Sequence, residues 1–271
     1  MKIDYGKIAK EARKTVLRLI YKAQTSHIGS CFSAIDIMAV LFEKVNINKD
    51  EVVLSAGWKA AAWYYFLWRK GVITEKELNS FCMPNSPFIG LVEPMGRWGL
   101  RIGGGSMGLG LCGAVGLALA KKLKGEDGKV YVLMSDGEMQ CGTTWESALI
   151  AVHHKLDNLV VIVDNNVLQA MGKTSEILNI NPLKDKFIQF LWSVTIINGH
   201  DFNEIKHAIG DKGKNEFRRL SQSPEIIIAN TIKGKGVSKF EGNNLYHYKN
   251  LDEEEYNLAL EELNNNGKGK L

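Results

Sequence analysis

The stretch from Lys129 to Asp164 constrains the fold more than any other part of this chain. Lys129–Met134 (KVYVLM) and Asn158–Asp164 (NLVVIVD) are short apolar runs bounded by turn residues, the pattern of strands buried on both faces. Between them, Thr143–Lys155 carries apolar residues at helical spacing. Strand, helix and strand in so few residues form a βαβ unit, because parallel neighbours need a crossover of about this length. The unit predicts an α/β fold: an open, mostly parallel sheet with helices on both faces.

The rest of the chain extends that pattern. Glu51–Leu54, Ser193–Ile197 and Glu225–Ala229 predict further strands. Tyr5–Ala23 reads as an amphipathic helix with Ile8, Ala12, Val16, Leu19 and Ala23 on one stripe. A second helix is expected over Ser33–Val45, with Ser33 and Asp36 as its start signal. An aromatic-rich helix is expected from about Trp58 to Arg69, and helical segments at Leu183–Phe190 and Asn203–Ile209. Cys82–Arg101 holds three of the five prolines and reads as loop. These elements suggest one domain over residues 1–250, then a C-terminal helix and tail over 251–271, with the final NNNGKGKL disordered.

Composition excludes some classes of function. The net charge is only +4 and the basic residues are scattered without aromatic interleaving, so no nucleic-acid partner is expected. The glycine-rich run Met107–Ala120 is too short to span a bilayer, and the charged N-terminus lacks the apolar core of a signal peptide. Cys31, Cys82, Cys112 and Cys141 form no C-x-x-C pair, which argues for reduced thiols in the cytoplasm and against zinc.

In an open parallel sheet, ligands bind beyond the carboxyl ends of the strands. Two loops of the βαβ unit open there, Ser135-Asp136-Gly137 and Asp164-Asn165-Asn166. The carboxylate of Asp136, the amide oxygen of Asn166 and a nearby backbone carbonyl are hard oxygen donors suited to Mg²⁺. Gly137 allows a sharp turn and close approach to a ligand. The run Gly103-Gly104-Gly105-Ser106-Met107-Gly108 lies at the start of a helix, where backbone N–H groups bind anions. A nicotinamide-binding loop would look similar, although the preceding strand and the following acid of that fingerprint are poor here.

The segment SDGEMQCGTTWESALIAVHHKLDNLVVIVDNNVLQAMG resembles the thiamine diphosphate motif of transketolases, a G-D-G followed about 30 residues later by N. TSHIGS, GGGSMGLG, NGHD and KGKGVSKFEGNNLYHYKN resemble four further family motifs in the family's order. The similarity runs from about Tyr5 to Asn250 and covers only the first half of a full-length transketolase. It implies the diphosphate-binding subunit of a split transketolase, which transfers a two-carbon ketol or acyl unit. The implied partner is a C-terminal-half, pyrimidine-binding subunit, in an α2β2 heterotetramer. Alternatives within the fold are a carboligase acting on a 2-oxo acid and a non-catalytic subunit serving assembly only.

By position, the resemblance implies that Asp136, Asn166 and the carbonyl of Leu168 hold Mg²⁺, with Ca²⁺ or Mn²⁺ as alternatives. Gly105, Met107 and Gly137 would lie beside thiamine diphosphate, Lys233 and His247 would approach its diphosphate, and His27 and His247 would serve the substrate. Departures bear on the substrate: Trp58 and a loop containing Leu91 and Glu93 stand where the family has histidines. Ser135 replaces the first glycine of G-D-G, and Cys141 replaces the family's interface glutamate. His153, His154, His200 and His207 read as structural or surface residues, and the aromatic cluster Trp58, Trp63, Tyr64, Tyr65 and Trp68 as core or intersubunit contact.

Overall fold

The apolar runs assemble into a single five-stranded sheet in a computed structural model that describes residues 3–210 and 222–265. In chain order the elements are α1 (Tyr5–Ala23), α2 (Ile28–Lys44), β1 (Glu51–Leu54), α3 (Ala60–Arg69), α4 (Glu75–Asn79), α5 (Leu109–Lys124), β2 (Val130–Ser135) and α6 (Gly142–His153). They continue with β3 (Leu159–Asn165), α7 (Thr174–Ile177), α8 (Leu183–Gln189), β4 (Ser193–Asn198), α9 (Phe202–Gly210), β5 (Glu225–Asn230) and α10 (Glu253–Asn265). The strand order is β1-β2-β3-β5-β4, and every pairing is parallel. The expected strands are each found to within a residue or two of their ends.

Alternation along the strands supplies two cores, one on each face. Leu54, Tyr131, Leu133, Val160, Ile162 and Ile227 face a layer built on α1, α2 and α3. Val53, Val132, Met134, Val161, Val163 and Ile228 face a layer with residues of α5, α6 and α8. Burial on both sides explains why the central strands read as unbroken apolar runs.

One boundary differs from the sequence expectation. α2 begins at Ile28, not Ser33, and every residue from Ile28 to Phe42 is buried. An all-round apolar helix has no stripe to mark its start. The two presumed cap residues serve tertiary contacts instead: Ser33 Oγ donates to Asp164, and Asp36 receives the Arg13 guanidinium at 2.8 Å on each oxygen. His27 caps α2 in a left-handed conformation (φ 77°), with its backbone N–H bonded to the His247 carbonyl at 2.9 Å. The tail also differs in part. Asn264 and Asn265 complete α10, which packs on α1 by stacking Tyr256 on Tyr21 with ring centroids 4.3 Å apart. The remainder of NNNGKGKL lies outside the described residues.

Candidate active site

The β2–β3 register places Ser135 opposite Asp164, so the loops carrying Asp136 and Asn166 leave the sheet side by side. Both side chains face a cavity of about 330 Å³ at the carboxyl ends of these strands. Gly137 and Leu168 line the same wall. Asp136 is 1% exposed. Burial, reinforced by the nearby charge of Asp164, pushes its carboxyl up to about 6. Asp136 accepts a hydrogen bond from the Gly137 N–H at 2.9 Å and a long one, 3.5 Å, from Thr174 Oγ1. The buried ammonium of Lys59 is committed elsewhere, to Asp164 at 2.7 Å. A buried carboxylate of this kind is a poor resident on its own and a good ligand for a cation.

Asn166 is held so that its oxygen is available. Its Nδ2 donates to Asp164 Oδ2 at 3.1 Å, and its Oδ1 accepts from the Leu168 N–H at 3.1 Å. Asp164 can only accept, which fixes this orientation of the amide. With the Leu168 carbonyl, the wall therefore offers one carboxylate and neutral oxygens, a donor set that fits Mg²⁺ completed by phosphate and water. Among the described residues no group of three or more His, Cys, Asp or Glu could hold a metal ion by itself.

The glycine run also reaches the site, with Gly105 and Met107 lining the cavity. The chain passes β1 at backbone contact. A Cβ on Gly104 would lie 1.9 Å from the Leu54 carbonyl oxygen, and one on Gly57 would lie 0.9 Å from that of Gly104. Glu138 ties the run to the rest of the site. Fully buried, it accepts from the Ser135 N–H at 2.8 Å, the Gly108 N–H at 3.1 Å and Ser55 Oγ. The sequence reading missed Glu138, Lys59 and Asp164. Glu138 had a signal, since Ser135 and Glu138 form a capping box three residues apart.

His27 and His247 meet at the cavity with ring centroids 5.0 Å apart. Lys233 does not line the cavity. It sits one layer behind, with Nζ 2.7 Å from His247 Nδ1, 2.8 Å from Asn244 Oδ1 and 3.4 Å from the carbonyls of Leu168 and Gln169. An ammonium can only donate, so Nδ1 of His247 accepts and the ring proton lies on Nε2. Ser26 Oγ engages Nδ1 of His27 at 2.7 Å. On each ring the engaged nitrogen is thus Nδ1.

Burial, and then the charges of Lys59 and Lys233, lower His27 to about 4. Burial, and then the charge of Lys233, lower His247 to about 3. Both rings are neutral donor–acceptor groups at neutral pH. Because folding depresses these values below the unfolded value near 6.5, the stability they contribute is complete above about pH 6.5. It is lost as pH falls through about 4 and then about 3. Histidine proton shifts followed by NMR are expected to show both rings neutral at pH 6; a midpoint near 6.5 for either would contradict the buried arrangement.

The remaining lining is mixed: Trp58, Leu91, Met107 and Tyr248 are apolar or aromatic, and Ser30, Lys59, Ser135 and Gln169 are polar. Trp58 thus lines the cavity, whereas Trp63, Tyr64 and Tyr65 are core. Glu93 is exposed and does not line it. His153 and His154 are at the solvent-facing end of α6, and His207 is exposed on α9. His200 is structural: its Nδ1 lies 2.7 Å from Asp36 Oδ2, and its Nε2 accepts from the Ile232 N–H at 2.8 Å. That bond anchors the segment leading to Lys233.

Comparison with known proteins gives the family of the chain. Residues 5–269 match the family described as transketolase, thiamine diphosphate binding domain. One of the separate subunits of the apulose-4-phosphate transketolase of Actinobacillus succinogenes is 34% identical over 96% of this chain and 97% of its own length. The 6-deoxy-6-sulfo-D-fructose transketolase subunit of Clostridium sp. (strain MSTE9) is 33% identical over 98% of each chain. The crystal structure of transketolase from Campylobacter jejuni superposes with a TM-score of 0.83 at 28% identity, over 97% of this chain and 43% of that one. The chain therefore spans less than half of a full-length transketolase and nearly all of the separate subunits. It belongs to the transketolase family, as a form of its thiamine diphosphate-binding domain.

Proposed function

We propose that this chain is the diphosphate- and metal-holding subunit of a split transketolase-like transferase. It works with a C-terminal-half subunit in an α2β2 assembly, transferring a two-carbon ketol or acyl unit. The observation that carries this reading is the convergence of Asp136, Asn166 and Leu168 on one cavity that Gly105 and Met107 also line. The two relatives are named as subunits, which supports a separate partner. Their names also refer to unusual sugars, which supports a specialised substrate here. The four free thiols, one of them buried, support a reducing, cytoplasmic setting. No helix among the described residues is long and apolar enough to cross a membrane.

Thiamine diphosphate, when bound, supplies the nucleophilic carbon that carries the transferred unit. The chain's own residues bind and orient. Asp136, Asn166 and Leu168 hold Mg²⁺, or Ca²⁺ or Mn²⁺ in its place, and so fix the diphosphate. Gly137 lets the β2 loop approach closely. Gly105 and Met107 border the cofactor through backbone. Lys233 sets the ring of His247 with its Nε2–H free to donate. His27 and His247 stand at the mouth as neutral hydrogen-bonding groups for a substrate carbonyl or hydroxyl.

The chain alone is expected to bind thiamine diphosphate weakly and turn nothing over, because it holds only the diphosphate half of the site. Calorimetry with Mg²⁺, with and without the partner subunit, tests this. Tight binding and full turnover by the isolated chain would reject the split-site reading.

A further inference from the structure

Lys59 lines the cavity although it is 0% exposed, and nothing in the ligand-holding chemistry above uses it. A lysine is almost never fully buried unless paired. Here Nζ lies 2.7 Å from Asp164 Oδ2 and 3.1 Å from the Ser30 carbonyl. Taking two charges out of water costs several kcal/mol per ion, so such a pair is weak evidence for stability. Its place in the network points to a different role.

Asp164 is saturated with donors. Its Oδ2 receives Lys59 Nζ, Ser33 Oγ at 2.5 Å and Asn166 Nδ2 at 3.1 Å, and its Oδ1 receives Thr231 Oγ1. Three segments distant in sequence, and Asn166 two residues away, thus meet on one carboxylate whose four acceptor sites are taken. Because Asp164 faces Asn166 as an acceptor, the amide turns its NH₂ inward. Its oxygen then accepts from the N–H of Leu168, a residue that lines the cavity. The order of control runs from Lys59 to Asp164, to Asn166, to Leu168.

We propose that Lys59 is a positioning residue: a fixed internal cation that holds Asp164 in place as an acceptor and thereby presents Asn166 Oδ1 and the Leu168 backbone to a divalent metal. This rests on the reading that the cavity takes a metal–diphosphate. Without Lys59, Asp164 is a buried charge lacking its counter-ion, and the network that fixes Asn166 rearranges. Groups that orient metal ligands typically change metal affinity by about 10–100-fold when removed.

The test is Mn²⁺ binding, read by electron paramagnetic resonance, to the full chain in the presence of thiamine diphosphate together with its partner subunit. Lys59→Met is expected to raise the Mn²⁺ dissociation constant about tenfold or more, with Lys59→Arg recovering part of the loss. Removing both charges, in Lys59→Met/Asp164→Asn, keeps an acceptor for Asn166. The double variant is expected to bind more tightly than either single variant, a coupling that a purely structural role would not give. Near-UV circular dichroism and Tm separate folding from affinity. If Lys59→Met does not fold, the comparison of Asp164→Asn with the double variant decides. Additive effects, a double variant no tighter than Asp164→Asn, or a folded Lys59→Met within about twofold of the parent, would each overturn the proposal. A parent that binds no Mn²⁺ would overturn the metal–diphosphate reading itself, and this proposal with it.

Discussion

Asp136→Ala is expected to abolish metal-dependent binding of thiamine diphosphate while leaving a folded chain. Asp136 is the one charged group among the three proposed ligands, so the variant leaves Mg²⁺ with only neutral protein donors. The fold does not depend on it. In the ligand-free chain its carboxyl is pushed up to about 6, first by burial and then by Asp164. At that value, ionising the carboxyl costs roughly 3 kcal/mol more in the ligand-free chain than in the unfolded one. The stability it contributes is full below its unfolded value near 3.9 and declines as pH rises through about 6. Asp136→Ala is therefore expected to melt no lower than the parent at pH 7.5. Thermal unfolding and calorimetry with Mg²⁺ check the two halves. Normal metal-dependent binding by the folded variant would remove Asp136 from the site. A collapse of Tm would instead give it a structural role.

That contrast shows what was legible in the sequence. The sheet was legible because buried parallel strands leave unbroken apolar runs, and the loops at their ends follow from topology. Asp136 and Asn166 were found this way, although 30 residues apart, because neighbouring strand ends are brought together by the crossover. Resemblance added Gly105, Met107, His27, Leu168 and His247, and all of them line the cavity.

The network around Asp164 was not legible, for a different reason. Asp164 sits at the end of an apolar strand and looks like an ordinary turn acid. Its partners Lys59, Ser33 and Thr231 are 105, 131 and 67 residues away. No periodicity announces a contact of that kind. Ser33 and Asp36 were misread as a helix start because local capping and tertiary bonding draw on the same polar residues. Lys233 shows the limit of transfer by position: a motif located the lysine, but only the folded chain places it behind His247 and not at the cavity wall.

Substrate choice is where the departures from the family carry the largest consequence. The reconstituted pair is expected to use ordinary ketose-phosphate and aldose-phosphate substrates poorly compared with a specialised sugar or a 2-oxo acid. Trp58 lines the cavity where the family has a histidine, and Leu91 lines it from the loop that would hold another. An indole offers one N–H donor and no acceptor, and leucine offers neither. Glu93 is exposed and does not line the cavity, so it makes no direct contact there. The cause is then the lost hydrogen bonds. Substrate hydroxyls left unpaired cost about 1–3 kcal/mol each. Two of them correspond to roughly one to four powers of ten in rate, at about 1.4 kcal/mol per tenfold. A donor lacking one of those hydroxyls escapes the penalty and gains apolar contact with Trp58. The neutral rings of His27 and His247 offer limited compensation, since one nitrogen of each is already engaged. Steady-state assays with xylulose 5-phosphate and ribose 5-phosphate, run beside pyruvate as donor, measure the difference. A kcat/KM on the order of 10⁴ M⁻¹s⁻¹ or more for the sugar phosphates would show that the partner subunit restores the missing groups. Trp58→His should raise sugar-phosphate turnover relative to pyruvate; an unchanged ratio would mean that Trp58 does not contact the substrate.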